Sequence, residues 1–442
     1  MIETRRGPID YSGMRALVMG LGVHGGGAGV ARFLAQRGAR VTVTDLLPAH
    51  ALQASIASLE GLNVRWVLGE HRAEDFTGVD FIVRNPAVPS TNRFLHLARA
   101  AGVPIYMEMT LFFMECPPDR VVGITGTKGK TTTTSLLGAI FKADGRDVVV
   151  AGNLRVSALE QLDRIGSGTD VVLELSSFQL EGLDVIQTSP RAALLTNLMT
   201  DHLNRYPSMA AYLDAKKHVY RHQGTDGILA LNRDDPALRA LASEAPGFVV
   251  WYGADDDVPG AAESRLRGRH NRANMAGAAA LASALGVERA VIKRAVREFP
   301  GVPYRQELIR ELDGVQYVND TAATTPDAAL AALEVMDRPV VLIAGGADKE
   351  LEFDAFARSV GRLGERLKAV VLLEGSATSK MAPAFGQKAA GPFYDFRAAV
   401  EFARDLASAG DVVLLSPGCA SFGMFRNEFD RGNQFNAIVR GW

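Results

Sequence analysis

Residues 126–134 read Gly-Thr-Lys-Gly-Lys-Thr-Thr-Thr-Thr, set between an apolar run over 120–125 and a helix-forming stretch over 135–143. Strand, glycine-rich loop, Lys-Thr and helix are the parts of a phosphate cradle. Glycines let the backbone curl until successive N–H groups face one anion. The helix start adds unpaired donors and the positive end of its dipole. On this reading Gly126, Thr127, Lys128, Gly129, Lys130, Thr131 and Thr132 surround the phosphates. Lys130 reaches the outer ones, and the Thr131 hydroxyl can ligate Mg2+. The spacing departs from the strict Walker pattern, because Ile124 stands where the first glycine belongs.

Around that loop, three α/β blocks follow one another. The first has strands over 15–19, 40–44 and 80–84. The second has them over 121–125, 147–150, 170–175, 191–195, 227–231 and 248–252, then a helix over 274–285. The third has strands over 315–319, 340–344, 369–373 and 412–416. Near-continuous apolar runs alternating with helices indicate mostly parallel sheets covered on both faces. Proline-rich segments at 116–119 and 299–303 read as linkers, giving three domains, 1–115, 116–300 and 301–442.

Charge and cysteine content remove several function classes. The 48 basic and 50 acidic residues leave a net charge of −2, so no nucleic-acid or membrane surface is expected. Cys116 and Cys419 make no metal or redox pattern and suit a reducing cytoplasm. The N-terminus lacks a signal peptide's apolar stretch, and no apolar run nears the ~18 residues that span a bilayer.

Other constellations stand at strand ends, where open α/β sheets bind ligands. Gly20-Leu-Gly-Val-His-Gly25 matches G-x-G-x-x-G, and Asp45 ends the next strand at the distance of a ribose or base contact. The motif fits a dinucleotide or any nucleotide diphosphate, and the same glycines also serve close helix–strand packing. Asn153, Glu174, Asn197 and Asp201-His202 follow central strands. A carboxylate at an apolar strand end is costly unless paired or on a cation, so Glu174 is either a Mg2+ ligand or half of a buried salt bridge. His202 alone reads as a loop histidine. Lys216 and Lys217 lie on a helix and point about 100° apart, so at most one faces a site. In the third block, segments 319–326, 345–349 and 416–421 end strands and are expected to converge on one rim of the sheet.

With these residues in place, the chain resembles the Mur ligase family of ATP-dependent amide-bond-forming ligases along essentially its whole length. The motifs that carry the resemblance are Gly126-Thr-Lys-Gly-Lys-Thr131, Leu173-Glu-Leu-Ser-Ser177, Asp201-His202 with Arg205-Tyr-Pro207, Gly268-Arg-His-Asn-Arg-Ala-Asn274, Tyr304-Arg305, Asn319-Asp320 and Leu415-Ser-Pro-Gly-Cys-Ala-Ser421. It implies a Rossmann-like UDP-binding domain, a central P-loop ATPase-like domain with a mostly parallel sheet, and a C-terminal Rossmann-like domain. Chain length, the first glycine loop and Arg431-Gly-Asn-Gln-Phe435 point to the member that adds D-glutamate to UDP-N-acetylmuramoyl-L-alanine in peptidoglycan synthesis, through an acyl phosphate.

The resemblance also implies residue roles. Gly20, Gly22, Val23, His24, Asp45 and Asn85 would hold the UDP group, and Asn153 and His202 the muramoyl substrate. Thr131, Glu174, His202 and Lys216, the last as a carbamate, would hold two Mg2+ ions. Asn271, Asn274 and Asp320 would contact the adenosine, and Arg305 the γ-phosphate. Thr324, Lys349 and Ser421 would hold the incoming amino acid. Lys130, His202, Lys216 and Arg305 would be catalytic. The chain is expected to be a cytoplasmic monomer acting on small molecules.

Two departures from the family pattern fall on the amino-acid pocket: Ala322 stands where a basic residue is usual, and Glu428-Phe429 reverses the usual order. They leave room for a related ligase using L-glutamate. A folate polyglutamylating enzyme lacks the first-domain UDP module. An NAD-dependent oxidoreductase leaves Lys130, Lys216 and the third domain without roles. A nucleotide switch differs in forming no product.

Overall fold

The computed structural model describes residues 9–22, 26–154, 156–201, 203, 205–348 and 353–442. The protein is a three-domain α/β chain with one sheet in each. In the first, β1 (Arg15–Met19), β2 (Arg40–Asp45), β3 (Val64–Leu68), β4 (Phe81–Arg84) and β5 (Ile105–Tyr106) stand in the order β3-β2-β1-β4-β5, all parallel. In the second, β6 (Val121–Thr125), β7 (Val148–Gly152), β8 (Asp170–Glu174), β9 (Ala192–Leu195), β10 (Ile228–Asn232) and β11 (Phe248–Tyr252) form an all-parallel sheet, β11-β10-β9-β6-β8-β7.

The third holds β12 (Glu307–Leu312), β13 (Val315–Asn319), β14 (Val340–Gly345), β15 (Leu367–Leu373), β16 (Ala389–Phe393) and β17 (Val412–Leu415) in the order β12-β13-β17-β14-β15-β16. Only the β12–β13 pair is antiparallel.

Burial explains which strands the sequence announces. Every residue of β6, β9 and β17 is buried, and apart from Gly123 and Thr125 of β6 their side chains are apolar on both faces. Along β14, Val340, Leu342 and Ala344 pack into one core cluster while Val341 and Ile343 pack into another, the two faces of a covered sheet. The four strands beyond the sequence reading lie in outer positions of their sheets: β3, β5, β12 and β16. β3 and β12 are half-exposed and carry charged residues, β5 has two residues, and β16 contains Pro392, whose missing N–H suits an edge.

The chain divides into two compact units, and each has its own core. One carries the first two sheets and runs to Phe299; the other runs from Pro300 to Trp442 and takes in Arg265–Gly268. In the first unit a single apolar cluster runs from Tyr11 through Leu111 and Phe112 to the central strands. The segment around Cys116 is accordingly packed: Cys116 is 2% exposed, Pro118–Arg120 form a 3-10 turn, and the Pro118 carbonyl accepts from Arg191 N at 3.0 Å. No helix among the described residues is long and apolar enough to cross a membrane.

Candidate active site

β6 delivers the chain into the phosphate loop. Gly126 has φ +142°, and a Cβ there would collide with the Thr196 hydroxyl and backbone. Gly129, at φ +82°, caps the helix Lys130–Ala143, and the Asn274 side chain occupies the space its Cβ would need. The loop is pinned to the residues after β9. Thr127 N donates to Asn197 O at 2.9 Å, Lys128 N to Asn197 Oδ1 at 2.9 Å, and Thr196 Oγ1 to Lys128 O at 2.6 Å. Lys130 Nζ folds back onto the loop, donating to Gly126 O at 3.1 Å and Thr127 O at 2.8 Å. Thr131 and Thr132 open the same helix. Asn271 and Asn274 meet on the helix Arg269–Ala284, Asn274 Nδ2 donating to Asn271 Oδ1 at 3.1 Å. Gly126 through Thr132 and Asn274 are thus brought together.

Lys216 comes to the same carbonyl from another element. It lies on the helix Met209–Lys217, is 1% exposed, and donates to Gly126 O at 2.8 Å. Burial, with the positive charge of Lys130 adding and Asp201 opposing, pushes its ammonium down to about 6. At neutral pH it is a free amine. Lys217, 100° round the helix, pairs with Glu244 at 2.6 Å. One lysine faces the site and the other does not, as the helical offset requires.

Glu174 ends β8 and is 2% exposed. Its Oε1 accepts from Asn153 Nδ2 at 2.8 Å, while its buried Oε2 has no hydrogen-bond partner. No ion pair to it is present among the described residues. A buried carboxylate oxygen without a hydrogen-bond partner is costly unless a donor or a cation meets it. The hard oxygens that suit Mg2+ are present in the Glu174 carboxylate and the Thr131 hydroxyl, and a carbamate on Lys216 would add more.

In the first domain, β1 and β2 are neighbours, so the glycine loop after Met19 lies beside Asp45. Asp45 Oδ2 accepts from Gly22 N at 3.1 Å and Oδ1 from Leu47 N at 2.9 Å. Its carboxylate braces the loop through the backbone. Ser55 Oγ donates to Gly22 O at 2.7 Å, and Asn85 Nδ2 to Gly20 O at 3.3 Å. The Ser55 contact carries no motif and was invisible in the sequence. Val23 and His24, with His202 and Lys349 elsewhere, lie outside the described residues.

In the second unit β13, β17 and β14 are adjacent, so the loops that follow them share one rim, as expected. Asp320 Oδ2 accepts from Ser416 Oγ at 2.7 Å and Oδ1 from Gln306 N at 3.0 Å. Burial raises its carboxyl to about 7 against those hydrogen bonds and the Arg305 charge. Arg305 sits between two residues in left-handed backbone, Tyr304 at φ +64° and Gln306 at φ +49°. Arg431, 0% exposed, donates to Thr321 Oγ1 at 2.9 Å and Thr321 O at 3.0 Å, and reaches Cys419 O at 3.5 Å. It ties the loop carrying Thr324 to the loop carrying Ser421. Its structural weight was not read from the sequence, where it served only as a motif residue. Ala347 and Ala420 exchange backbone hydrogen bonds of 2.9 and 3.1 Å, joining the third loop. Glu428 stands in the first turn of the helix Glu428–Arg440, where the dipole favours an acid.

Three family profiles match in order along the chain: the Mur ligase MurD-like N-terminal domain over residues 14–107, the Mur ligase middle domain over 124–263, and the Mur ligase glutamate ligase domain over 304–419. The chain belongs to the Mur ligase family. Among curated Mur ligases, the UDP-N-acetylmuramoylalanine–D-glutamate ligase of Roseiflexus sp. (strain RS-1) is 52% identical, covering 98% of this chain and 100% of its own. That of Symbiobacterium thermophilum is 38% identical, covering 96% and 97%. Of solved structures, the UDP-N-acetylmuramate–alanine ligase MurC of Thermotoga maritima superposes with TM-score 0.59 at 19% identity, covering 97% of this chain and 99% of its own. MurF of Acinetobacter baumannii gives 0.59 at 17%, covering 100% and 93%. These two likenesses establish the Mur ligase fold.

Proposed function

We propose that the chain joins D-glutamate to UDP-N-acetylmuramoyl-L-alanine at the expense of ATP, in peptidoglycan synthesis. Its substrates are the ones in its relatives' names. The observation that carries the chemistry is a single carbonyl, Gly126 O, that accepts from two lysines of opposite character. Lys130 is placed to meet the phosphates of ATP as a cation. Lys216 is held as a neutral amine, the only form that can take up CO2 as a carbamate.

The reaction brings two anions together, so the residues must screen charge. The substrate carboxylate attacks the γ-phosphate and ADP leaves. The glutamate amine then attacks the acyl carbon of the acyl phosphate, and phosphate leaves with one oxygen of the original carboxylate. Lys130, the loop amides of 126–132 and Arg305 bind the phosphates and lower the cost of the approach. Mg2+, held by Thr131, Glu174, His202 and carbamylated Lys216 as two ions, would supply charge neutralisation of the transferring phosphoryl group. Asn271, Asn274 and Asp320 hold the adenosine. Gly20, Gly22, Val23, His24, Asp45 and Asn85 hold the UDP group, with Asn153 on the muramoyl part. Thr324, Lys349 and Ser421 receive glutamate.

The domains assigned to these tasks are 1–115, 116–300 and 301–442, in a cytoplasmic, monomeric chain whose partners are small molecules. The reading is tested by making the acceptor with 18O in its carboxylate. One 18O atom is expected in each phosphate released; unlabelled phosphate contradicts the acyl-phosphate route. Ala322 and Glu428 favour a second reading, in which the same chemistry uses L-glutamate.

A further inference from the structure

Away from the phosphate loop, two histidines and a carboxylate converge. His218 and His222 follow the helix Met209–Lys217, four residues apart, and Asp184 ends the helix Ser177–Asp184. Asp184 Oδ1 stands 3.4 Å from His218 Nδ1 and 3.0 Å from His222 Nε2, and the ligand atoms of all three lie within 4.8 Å of one another. The imidazole planes are 10° apart. Ser189 fixes the turn that carries them: its hydroxyl donates to His218 O at 2.7 Å and accepts from His222 N at 3.0 Å. His218 is buried, His222 half-buried and Asp184 exposed, so the cluster has a rigid floor and an open approach.

A tetrahedral ion with bonds of about 2.0–2.1 Å holds its donors roughly 3.3 Å apart. The two Asp–His separations, 3.4 and 3.0 Å, lie near that edge, and the two imidazole nitrogens are within 4.8 Å of each other. Two imidazoles and one carboxylate suit a transition ion of the zinc type, whereas Mg2+ and Ca2+ prefer oxygen throughout. We propose that Asp184, His218 and His222 form a binding site for Zn2+ or a similar divalent transition ion, separate from Glu174, with solvent at the fourth position. Arg221, 3.4 Å from His218 Nδ1, must turn aside; its side chain is one-third exposed and already paired with Asp214. The ion ties together the ends of two helices, one beginning three residues after Glu174 and the other carrying Lys216. It therefore links the surface of the central domain to elements that place the reacting groups.

The full chain, stripped with a chelator and kept in excess Mg2+, is titrated with Zn2+ against a chromophoric competitor. A Zn2+-soaked crystal is measured at the zinc absorption edge. We expect an anomalous peak between Asp184, His218 and His222, and binding weakened at least ten-fold in both His222→Ala and Asp184→Ala. Asp184→Asn, which keeps the side-chain shape, carries the same expectation should an alanine variant fold poorly. Zn2+ found only elsewhere on the chain, or bound equally well by native chain and variants, overturns the proposal and leaves a hydrogen-bonded cluster.

Discussion

An amine that is 1% exposed has too little water around it to hold a charge, and Lys216 shows the result. Its ordinary value of 10.5 falls to about 6, so it is protonated only below that. Carbamate forms from the neutral amine alone. We expect turnover lost in CO2-free buffer to return on adding bicarbonate at about pH 8 but not at about pH 5, where the amine is charged. Recovery at both would exclude a carbamate on Lys216. Replacing the side chain with Lys216→Met should lower turnover by roughly 10²-fold or more, the scale of losing one preorganised charge-stabilising group.

Asp320 runs the other way. Its carboxyl rises from 3.8 to about 7 through burial. Between those values the folded chain binds a proton that the unfolded chain has lost. Its contribution to stability therefore falls as pH rises through that window, and the cost is complete above about 7. Asp320→Asn removes the effect, so urea unfolding should show the variant gaining on the native chain from about pH 4 to about pH 8.

At the level of elements, the phosphate loop is a backbone problem before it is a chemical one. Gly126 at φ +142° has Thr196 where a side chain would go. Gly126→Ala is expected to cost roughly 1–3 kcal/mol of stability, the scale of a strained backbone position, and to weaken ATP binding as the loop amides shift. Equilibrium unfolding and nucleotide titration check both.

The loop was legible because its glycines, its Lys-Thr and its flanking strand are local signals. So were the buried strands β6, β9 and β17, whose environment favours apolar residues at nearly every position. The edges were not: β12 and β16 pair on one side only, so nothing forces a pattern on them, and a proline in β16 reads as a break. At the site, Lys216 could be told from Lys217 only as one of a pair. The choice between them is made by the Tyr212 ring, its centroid 4.4 Å from Nζ, and by the carbonyl of Gly126, ninety residues away in sequence. Arg431 and Ser55 belong to the same class, because their partners lie across loops that no spacing rule connects.

For the molecule, the first two sheets act as one body. Their shared core is reinforced by Arg84, at the end of β4, which donates to Glu181 Oε2 at 2.8 Å. Oε1 accepts from Tyr206 OH at 2.8 Å, and Arg205 lies 3.7 Å from Oε2. The Arg84 side chain is 6% exposed, so removing its partner strands a buried charge. Glu181→Gln should destabilise the unit by on the order of 3 kcal/mol, and adding Arg84→Met should recover part of that loss. Strict additivity in thermal or urea unfolding would show that the pair is not coupled.

At this scale the claim is that one chain spends ATP to join two specific small molecules. The most direct measurement is phosphate release by the purified chain with ATP, Mg2+, UDP-N-acetylmuramoyl-L-alanine and either enantiomer of glutamate, omitting each in turn. We predict release, with matching peptide product, only when all are present and the glutamate is D. Equal release with L-glutamate, or release that needs no amino acid, would contradict the account.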